Sequence, residues 1–391
     1  MLPYPASAAC CIAVGARRRS KNSSVDHVLG AGAEGGWRFV KARRRNLPVM
    51  LSHGNVRRMT GAARWWLALA TGLAVSLSQF AEAETLNMVV AARAANYAPY
   101  IIAIEKGYYA AEGLTLNVSY AAGSIEISAL IGGSIDIGTS SAAAVSAILR
   151  GAPLRIIYTL SDRPAYQLWS TRPNLKSLTD LKGMTVGIIS RGDTLETAMR
   201  LTLQQAGLPP NWVGYTALGS GDGRVAAAQS GALPAVIVAR RDIELMRDRA
   251  ALPRGHLITD MYRTIRFPYG GQTVSVATLK DRPLVVRRFL LATVKGVRYM
   301  KAFRRETVAI LTKWEQSADP RGAEVDYDDV LATLTENGTA DAVLRRHDLE
   351  VRASFIGLPA DRIPPLDAVY DYSPLEEVNA ALDASGWTPA P

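Results

Sequence analysis

The sequence predicts an α/β protein in which two lobes enclose a ligand cleft and a helical part follows. Between residues 85 and 275, short apolar runs alternate with helical segments in two successive blocks, as is typical of strands joined by helices. From Arg282 onward only long helical patterns remain. A chain that leaves one α/β lobe, builds another and returns crosses twice between them. Strand ends and helix starts of both lobes then face one cleft.

The first block has clear start and stop signals. A helix at residues 97–105 ends before Gly107, and Gly113 then leads into the alternating strand LTLNVSY. Gly123-Ser124 opens the next helix, which an apolar strand follows. The block is predicted to contain strands at 86–92, 114–120, 134–138 and 154–160, and helices at 97–105, 125–132 and 142–149.

The second block repeats this alternation near residue 170. Its clearest unit is the buried strand TVGII, followed by an amphipathic helix that Gly207 caps. We assign residues 84–168 and 276–391 to the first lobe and 169–275 to the second. The predicted strands are 166–170, 185–189, 235–239, 257–259 and 273–277, and the predicted helices are 195–206, 225–230, 283–303, 306–315, 327–337 and 375–384.

The net charge of +10 belongs to the first 83 residues. That stretch holds 12 of the 45 basic residues and 3 of the 35 acidic ones, so the remainder has 33 basic against 32 acidic residues. A basic surface for nucleic acid is therefore not expected in the body of the protein.

The N-terminal part contains a predicted secretion signal at residues 59–83. Met59 and Arg64 precede an apolar run, and Ala81 and Ala83 form the small-residue pattern that signal peptidase cleaves. We expect cleavage after Ala83 and a periplasmic protein, the alternative being an uncut membrane anchor. Residues 1–58 are interpreted as an extension that is non-native or disordered, with translation starting at Met59.

Catalytic motifs are sparse in this sequence. Both cysteines, Cys10 and Cys11, lie in the leader, and the body has only His256 and His347. GxSxG, HExxH and CxxC motifs are absent, and no nucleophile with a neighbouring base is indicated. We expect no catalytic residue, no metal and no cofactor.

Four turns between a strand end and a helix start carry hydroxyl, glycine or arginine residues. Helix N-termini favour anions, and Ser or Thr can both cap the helix and contact a ligand. Arg93 and Arg191 could bind a carboxylate, sulfonate or phosphate. Helix capping alone, or an arginine paired with an acid such as Asp193, is the alternative. The candidate ligand-binding residues are Arg93, Asn96, Tyr97, Ser124, Thr139, Ser140, Ser141, Arg191, Gly192 and Thr194.

Tyr269, Gly270 and Gly271 are a candidate hinge before the returning strand. Glycine accommodates the backbone rotation of lobe closure, although an ordinary turn would have the same composition. Tyr97, Tyr166 and Tyr269, together with Trp169, could line a pocket for a flat or apolar group; core packing is the alternative.

Several segments resemble solute-binding proteins of the nitrate, sulfonate and taurine type. AP at 98–99, EKGYY at 105–109 and EGL at 112–114 stand in the order of that family's signature. GSIDIG at 133–138 is similar to one of its strands, and LKGMTVG at 181–187 resembles its entry into the second lobe. The resemblance covers about residues 85–280.

This resemblance implies a periplasmic binding protein type 2 fold that delivers a small solute to an ABC permease and ATPase at the inner membrane. It places the ligand at all of the candidate residues except Arg93 and Thr139. We expect the solute to be anionic and the protein to be a monomer that closes around it. One departure is GALPA at residues 231–235, where the family usually has an aspartate.

Two alternatives remain on the same fold. One is a ligand-sensing protein that feeds no transporter. The other is an enzyme of the related branch that makes the pyrimidine precursor of thiamine. That enzyme relies on an active-site histidine and a cysteine-rich, iron-binding stretch, whereas the body of this chain has no cysteine. Sulfonates, nitrate, carboxylated aromatics and pyrimidines all remain open as solutes.

Overall fold

The computed structural model describes residues 83–391 apart from Ala92, Ala122, Ser220, 244–254 and 317–318. The predicted N-terminal extension, and the predicted signal peptide except Ala83, lie outside the described residues. Within the described part of the chain, no helix is both long and apolar enough to cross a membrane.

The strands of the described residues form two five-stranded sheets. The first has the order β2-β1-β3-β10-β4, with β1 parallel to β2 and β3, and β10 antiparallel to β3 and β4. The second has the order β7-β6-β8-β5-β9, with β5 antiparallel to both of its neighbours. In chain order the strands are β1 Glu84–Val90, β2 Leu114–Tyr120, β3 Ile137–Gly138, β4 Leu154–Ser161, β5 Tyr166–Ser170, β6 Thr185–Ile188, β7 Gly214–Ala217, β8 Ala235–Ala239, β9 His256–Thr259 and β10 Tyr269–Ser275.

Helices follow most strands and dominate the C-terminal third of the chain. Strands such as β4 are apolar at successive positions because both faces of the sheet are covered. In chain order the helices are α1 Ala98–Glu105, α2 Tyr108–Ala111, α3 Gly123–Ile131, α4 Ser141–Ile148, α5 Thr194–Gln205, α6 Gly221–Gln229, α7 Met261–Thr264, α8 Val276–Asp281, α9 Pro283–Ala302, α10 Arg304–Trp314, α11 Pro320–Thr333, α12 Ala342–Phe355 and α13 Ser373–Ala384.

The chain crosses between the sheets after β4 and again before β10. The two crossing segments are bonded to each other: Asp162 Oδ2 accepts from Arg266 at 2.6 Å, and the Phe267 N–H donates to the Asp162 carbonyl at 3.0 Å. These crossings correct the boundary predicted at residue 275, because β10 pairs in the first sheet rather than in the second.

The predicted hinge residues are the first three of β10. Gly270 has a positive φ of 60°, which glycine adopts without strain. A Cβ on Gly271 would collide with the backbone carbonyl of Tyr158 in β4. The glycines therefore allow β10 to lie close against β4 directly after the second crossing. A hinge function remains a prediction.

Each sheet has its own hydrophobic core, and α12 packs against both. Leu349 belongs to the core of the first lobe, whereas Val351 belongs to that of the second, against which Phe355 also packs. The C-terminal helices are thus not confined to one lobe. Helix α12 places side chains where the lobes meet.

Candidate functional site

A cavity of about 730 Å³ lies where the two lobes and α12 meet. Helices α3 and α4 of the first lobe form one side, the start of α5 in the second lobe forms another, and the end of α12 completes it. The lining residues are Ser124, Ile127, Ile131, Ala143, Ser146, Ala147, Arg150, Gly151, Ala152, Arg191, Gly192, Glu196, Thr197, Arg200, Arg352, Phe355 and Ile356.

The cavity combines an apolar wall with guanidinium groups. Isoleucine and alanine side chains of α3 and α4 face Phe355 and Ile356 of α12 across it. Four arginines line the same space and only one carboxylate, Glu196, does so. This composition suits an organic molecule that has an apolar body and acceptor oxygens.

Arg200 is held rigidly at the second-lobe side. Its Nε and Nη2 donate to Glu196 Oε1 at 3.0 and 2.7 Å, and its guanidinium lies 5.0 Å from the ring centre of Tyr215 and 4.9 Å from that of Phe355. Glu196 neutralises the charge of Arg200. The pair therefore offers the cavity N–H groups in fixed positions, but little net charge.

Arg191 and Arg150 are the exposed guanidiniums of the site, and Arg191 Nη1 lies 3.9 Å from Glu196 Oε1. Arg191 Nη2 donates to the Tyr215 carbonyl at 3.0 Å, yet 66% of its side chain is exposed. Arg150 is also exposed and donates from Nη1 to the Ser146 carbonyl at 2.8 Å. Both guanidiniums keep donors available for an anion.

The predicted anion-binding N–H groups at the start of α5 are already paired. Asp193 Oδ2 accepts from the N–H groups of Ile189 and Ser190 at 2.7 and 3.0 Å, and Oδ1 accepts from the Glu196 N–H at 2.8 Å. The Gly192 N–H donates to Glu196 Oε2 at 2.8 Å. These four N–H groups thus bind the protein's own carboxylates.

A buried glutamate, Glu126, occupies the equivalent position at the start of α4. Its side chain has no exposed surface, and it accepts from Ser140 N at 2.7 Å and from Ser140 Oγ at 2.8 Å. Burial raises the pKa of Glu126 to about 7, although the bonds from Ser140 partly oppose this. Glu126 was not predicted from the sequence as a functional residue. The signal that could have identified it is a charged residue among the apolar residues of the helix, next to Ile127 and Leu130.

The remaining hydroxyls of this turn are also used within the protein. Thr139 Oγ1 donates to the Val89 carbonyl at 2.9 Å, and Ser141 is buried. Ser124 is exposed and lines the cavity, whereas Thr194 is half-buried and is not among the lining residues. The structure thus brings Ser124, Arg191 and Gly192 together in the cavity and places the other candidates outside its lining.

Arg93 and Tyr97 lie beside the aromatic ring of Trp314 rather than in the cavity. Arg93 Nη1 donates to the Trp314 carbonyl at 2.7 Å and stacks on Tyr120 at 5.3 Å. Tyr97 is buried, meets Trp314 edge-on at 6.3 Å and accepts at its hydroxyl from the Ala91 N–H at 3.3 Å. Arg93 is therefore engaged within the protein.

Tyr166 and Tyr269 meet where the chain crosses between the sheets. Their hydroxyls are 3.4 Å apart and their rings are edge-on at 5.9 Å. Burial raises the pKa of Tyr166 to about 12, so both hydroxyls stay protonated at neutral pH. Asn96 is half-buried close to Gly270.

An ion-pair network, also missed in the sequence, joins the end of β8 to α10 and α11. Arg241 Nη1 lies 2.8 Å from Glu315 and 2.9 Å from Asp326, and Arg240 pairs with Asp329. Burial raises the pKa of Glu315 and Asp326, and that of Asp329 to about 6. In the described chain no cluster of His, Cys, Asp or Glu could hold a metal ion.

Comparison with known proteins places these features in a family. The family described as NMT1/THI5 like matches residues 94–306, more than half of the chain. The riboflavin-binding protein RibY of Chloroflexus aurantiacus is 27% identical over 210 residues, which are 51% of this chain and span only 58% of RibY.

Solved structures share the fold at low sequence identity. The alkanesulfonate-binding protein SsuA of Xanthomonas axonopodis pv. citri, bound to MOPS, gives a TM-score of 0.61 with 16% identity, over 74% of this chain and 100% of SsuA. The periplasmic nitrate-binding protein NrtA of Synechocystis PCC 6803 gives 0.59 with 17% identity, over 79% of this chain and 92% of NrtA. The predicted fold class is confirmed. The protein has the two-lobe periplasmic binding protein fold and belongs to the NMT1/THI5-like family.

Proposed function

We propose that this protein is the solute-binding component of an ABC importer and captures an organic solute that has an apolar body and an acidic group. It acts in the periplasm, delivers the solute to a permease and ATPase, and performs no catalysis. Membership of the family supports this role, as does the shared fold with proteins named for binding alkanesulfonate and nitrate.

The cavity between the lobes is the observation that carries the proposal. Its volume of about 730 Å³ falls within the range of about 300–1,000 Å³ that is usual for small-molecule sites. Its walls come from both lobes, so a bound molecule would contact both and favour their closed arrangement. The apolar wall would hold the body of the solute, and the arginines would bind its acidic group.

The same geometry disfavours a compact inorganic anion as the solute. Helix N-termini are a common site for such an anion, but at the starts of α4 and α5 the N–H groups of Ser140, Gly192 and Glu196 already donate to carboxylates of the protein. Recognition of charge then falls to the guanidiniums, which surround a volume much larger than nitrate.

A thermal-shift experiment on the protein expressed from its full-length gene tests this proposal. Hexane-1-sulfonate, with an apolar body and an acidic group, should raise the melting temperature by mass action, whereas nitrate should not. Riboflavin is included because of the likeness to RibY. A shift with riboflavin or nitrate alone would contradict the proposed solute class. No shift with any ligand would contradict the binding function.

A further inference from the structure

Arg352 is a buried arginine of α12 that contacts both lobes. Its exposed fraction is 2%, and that of its partner Asp348 is 1%. Arg352 Nη1 donates to the Ala142 carbonyl in α4 of the first lobe at 3.3 Å, and to Thr197 Oγ1 in α5 of the second lobe at 2.9 Å. It lies outside residues 94–306, which the family pattern covers.

The five N–H donors of this guanidinium can be accounted for one by one. The Nε donor binds both oxygens of Asp348 at 2.9 Å, and the two donors of Nη1 bind Ala142 and Thr197. Nη2 is buried and has no hydrogen-bond partner among the described residues. Two N–H donors therefore remain without a hydrogen-bond acceptor among the described residues, and the guanidinium carbon lies 5.9 Å from the ring centre of Phe267.

Buried donors are rarely left unpaired, and charged ones least of all. Arg352 also lines the cavity, together with the apolar side chains of α3 and α4. Since its other nitrogens are bound to the protein, Nη2 is the part of Arg352 that can serve a molecule in this cavity.

We propose that Arg352 Nη2 binds an oxygen of the solute's acidic group and thereby determines the specificity of the site. The inference rests on the proposed function and extends it by naming the inner anchor of the acidic group. The solute enters with that group leading, past the exposed guanidiniums of Arg150 and Arg191. Its apolar body then lies along Ile127 and Ile131.

The test compares two conservative variants on the same helix, Arg352→Lys and Arg345→Lys. Lysine at position 352 can keep the charge beside Asp348 but lacks Nη2. Arg345 is the matched control, because its Nε is likewise buried without a partner, yet it packs on the rings of Tyr370 and Tyr372 and does not line the cavity.

Isothermal titration of the full chain with hexane-1-sulfonate and its neutral analogue hexane-1-sulfonamide gives the readout. Arg352→Lys should weaken the binding of the sulfonate about 10-fold or more. It should also reduce the preference for sulfonate over sulfonamide, because hydrogen bonds to charged oxygens are stronger than those to neutral ones. Arg345→Lys should leave both values unchanged. A general loss of packing would weaken both ligands alike and leave their ratio unchanged.

The outcomes separate this inference from the proposed function. If the wild type binds hexane-1-sulfonate and Arg352→Lys keeps its affinity and preference, the role of Arg352 is wrong and the proposed function stands. An equal loss of preference in Arg345→Lys would also contradict that role. If the wild type binds neither ligand, the proposed solute class fails, and the inference fails with it.

Discussion

Buried carboxylates define the residue-scale chemistry near the cavity. Glu126 and Asp193 each accept the free N–H groups at the start of a helix, the position that an anionic ligand would otherwise take. Because these carboxyl oxygens already accept the N–H groups, the same donors are not open to a second acceptor. The helix N-termini therefore act as structural caps, and arginines become the candidates for ligand binding.

The pH dependence of stability should reveal the burial of Glu126. Burial raises the pKa of Glu126 to about 7 from its ordinary value of 4.5. Because folded Glu126 holds its proton where the unfolded chain releases it, the free energy of unfolding should fall as pH rises from about 4.5 to 7. The contribution is at most about 3 kcal/mol.

Glu126→Gln removes this titration and should flatten the decline, as measured by guanidinium chloride unfolding at pH 5 and 7.5. Asp180→Asn is the control, because Asp180 is exposed and hydrogen bonds from Ser177 lower its pKa, the opposite direction. If the free energy of unfolding declined equally in Glu126→Gln and in the wild type, Glu126 would not titrate in this pH range.

At the scale of elements, the strand pair β4–β10 depends on glycine. β10 returns from the second crossing and lies against β4, where the Gly271 backbone approaches the carbonyl of Tyr158. A side chain at this point would force these two neighbouring strands of the first sheet apart.

Gly271→Ala should therefore lower the free energy of unfolding by about 1–3 kcal/mol, the usual cost of overpacking. Gly214→Ala is the matched control, because a Cβ there would meet Thr185 Oγ1 at an ordinary 3.4 Å. Chemical denaturation of both variants gives the comparison. If the two variants had the same free energy of unfolding, β10 would be able to shift away from β4 without a loss of stability.

Periodicity and capping signals in the sequence predicted most of the strands and helices. Contacts between residues far apart in the chain account for the exceptions. The strand LTLNVSY and the helix before Gly207 were recognisable because periodicity and capping agree there. The strand predicted at 134–138 is limited to Ile137–Gly138, because Asp136 instead binds the Asn87 N–H and Arg282. Helix α11 begins at Pro320, earlier than predicted, where Asp319 caps it.

The candidate site was predictable in part for the same reason. Gly192 and Ser124 stand at turns that the sequence marks, so their position at the lobe junction could be inferred. Arg352 lies about 150 residues further along the chain, and only the packing of α12 between two cores brings it there. Patterns within one segment carry no information about such a contact.

At the scale of the whole molecule, two sets of contacts between described residues join the lobes besides the crossings. One is α12 with Arg352. The other joins Arg241, just after β8, to Glu315 and Asp326. Helix α11, which carries Asp326, is attached to the first sheet through the hydrogen bond from Thr333 Oγ1 to Ser161 Oγ at 3.2 Å. The contact between the lobes thus includes buried charged groups.

Arg241→Met tests this contribution by removing the guanidinium that faces both carboxylates while keeping an apolar side chain of similar length. Breaking one side of a buried ion pair costs about 3–5 kcal/mol, because the partner charge stays buried without compensation. Glu315 and Asp326 already have raised pKa values through burial, so they can take up protons at low pH. The loss in the free energy of unfolding should therefore be large at pH 8 and smaller at pH 5.

Arg304→Met is the control, because Arg304 and Asp328 of α11 form an exposed pair, for which little loss of stability is expected. Guanidinium chloride unfolding of both variants at the two pH values gives the comparison. A loss for Arg241→Met that is no larger than that for Arg304→Met, or that is equal at pH 5 and pH 8, would mean that water reaches these carboxylates. The network would then add little to the joining of the lobes.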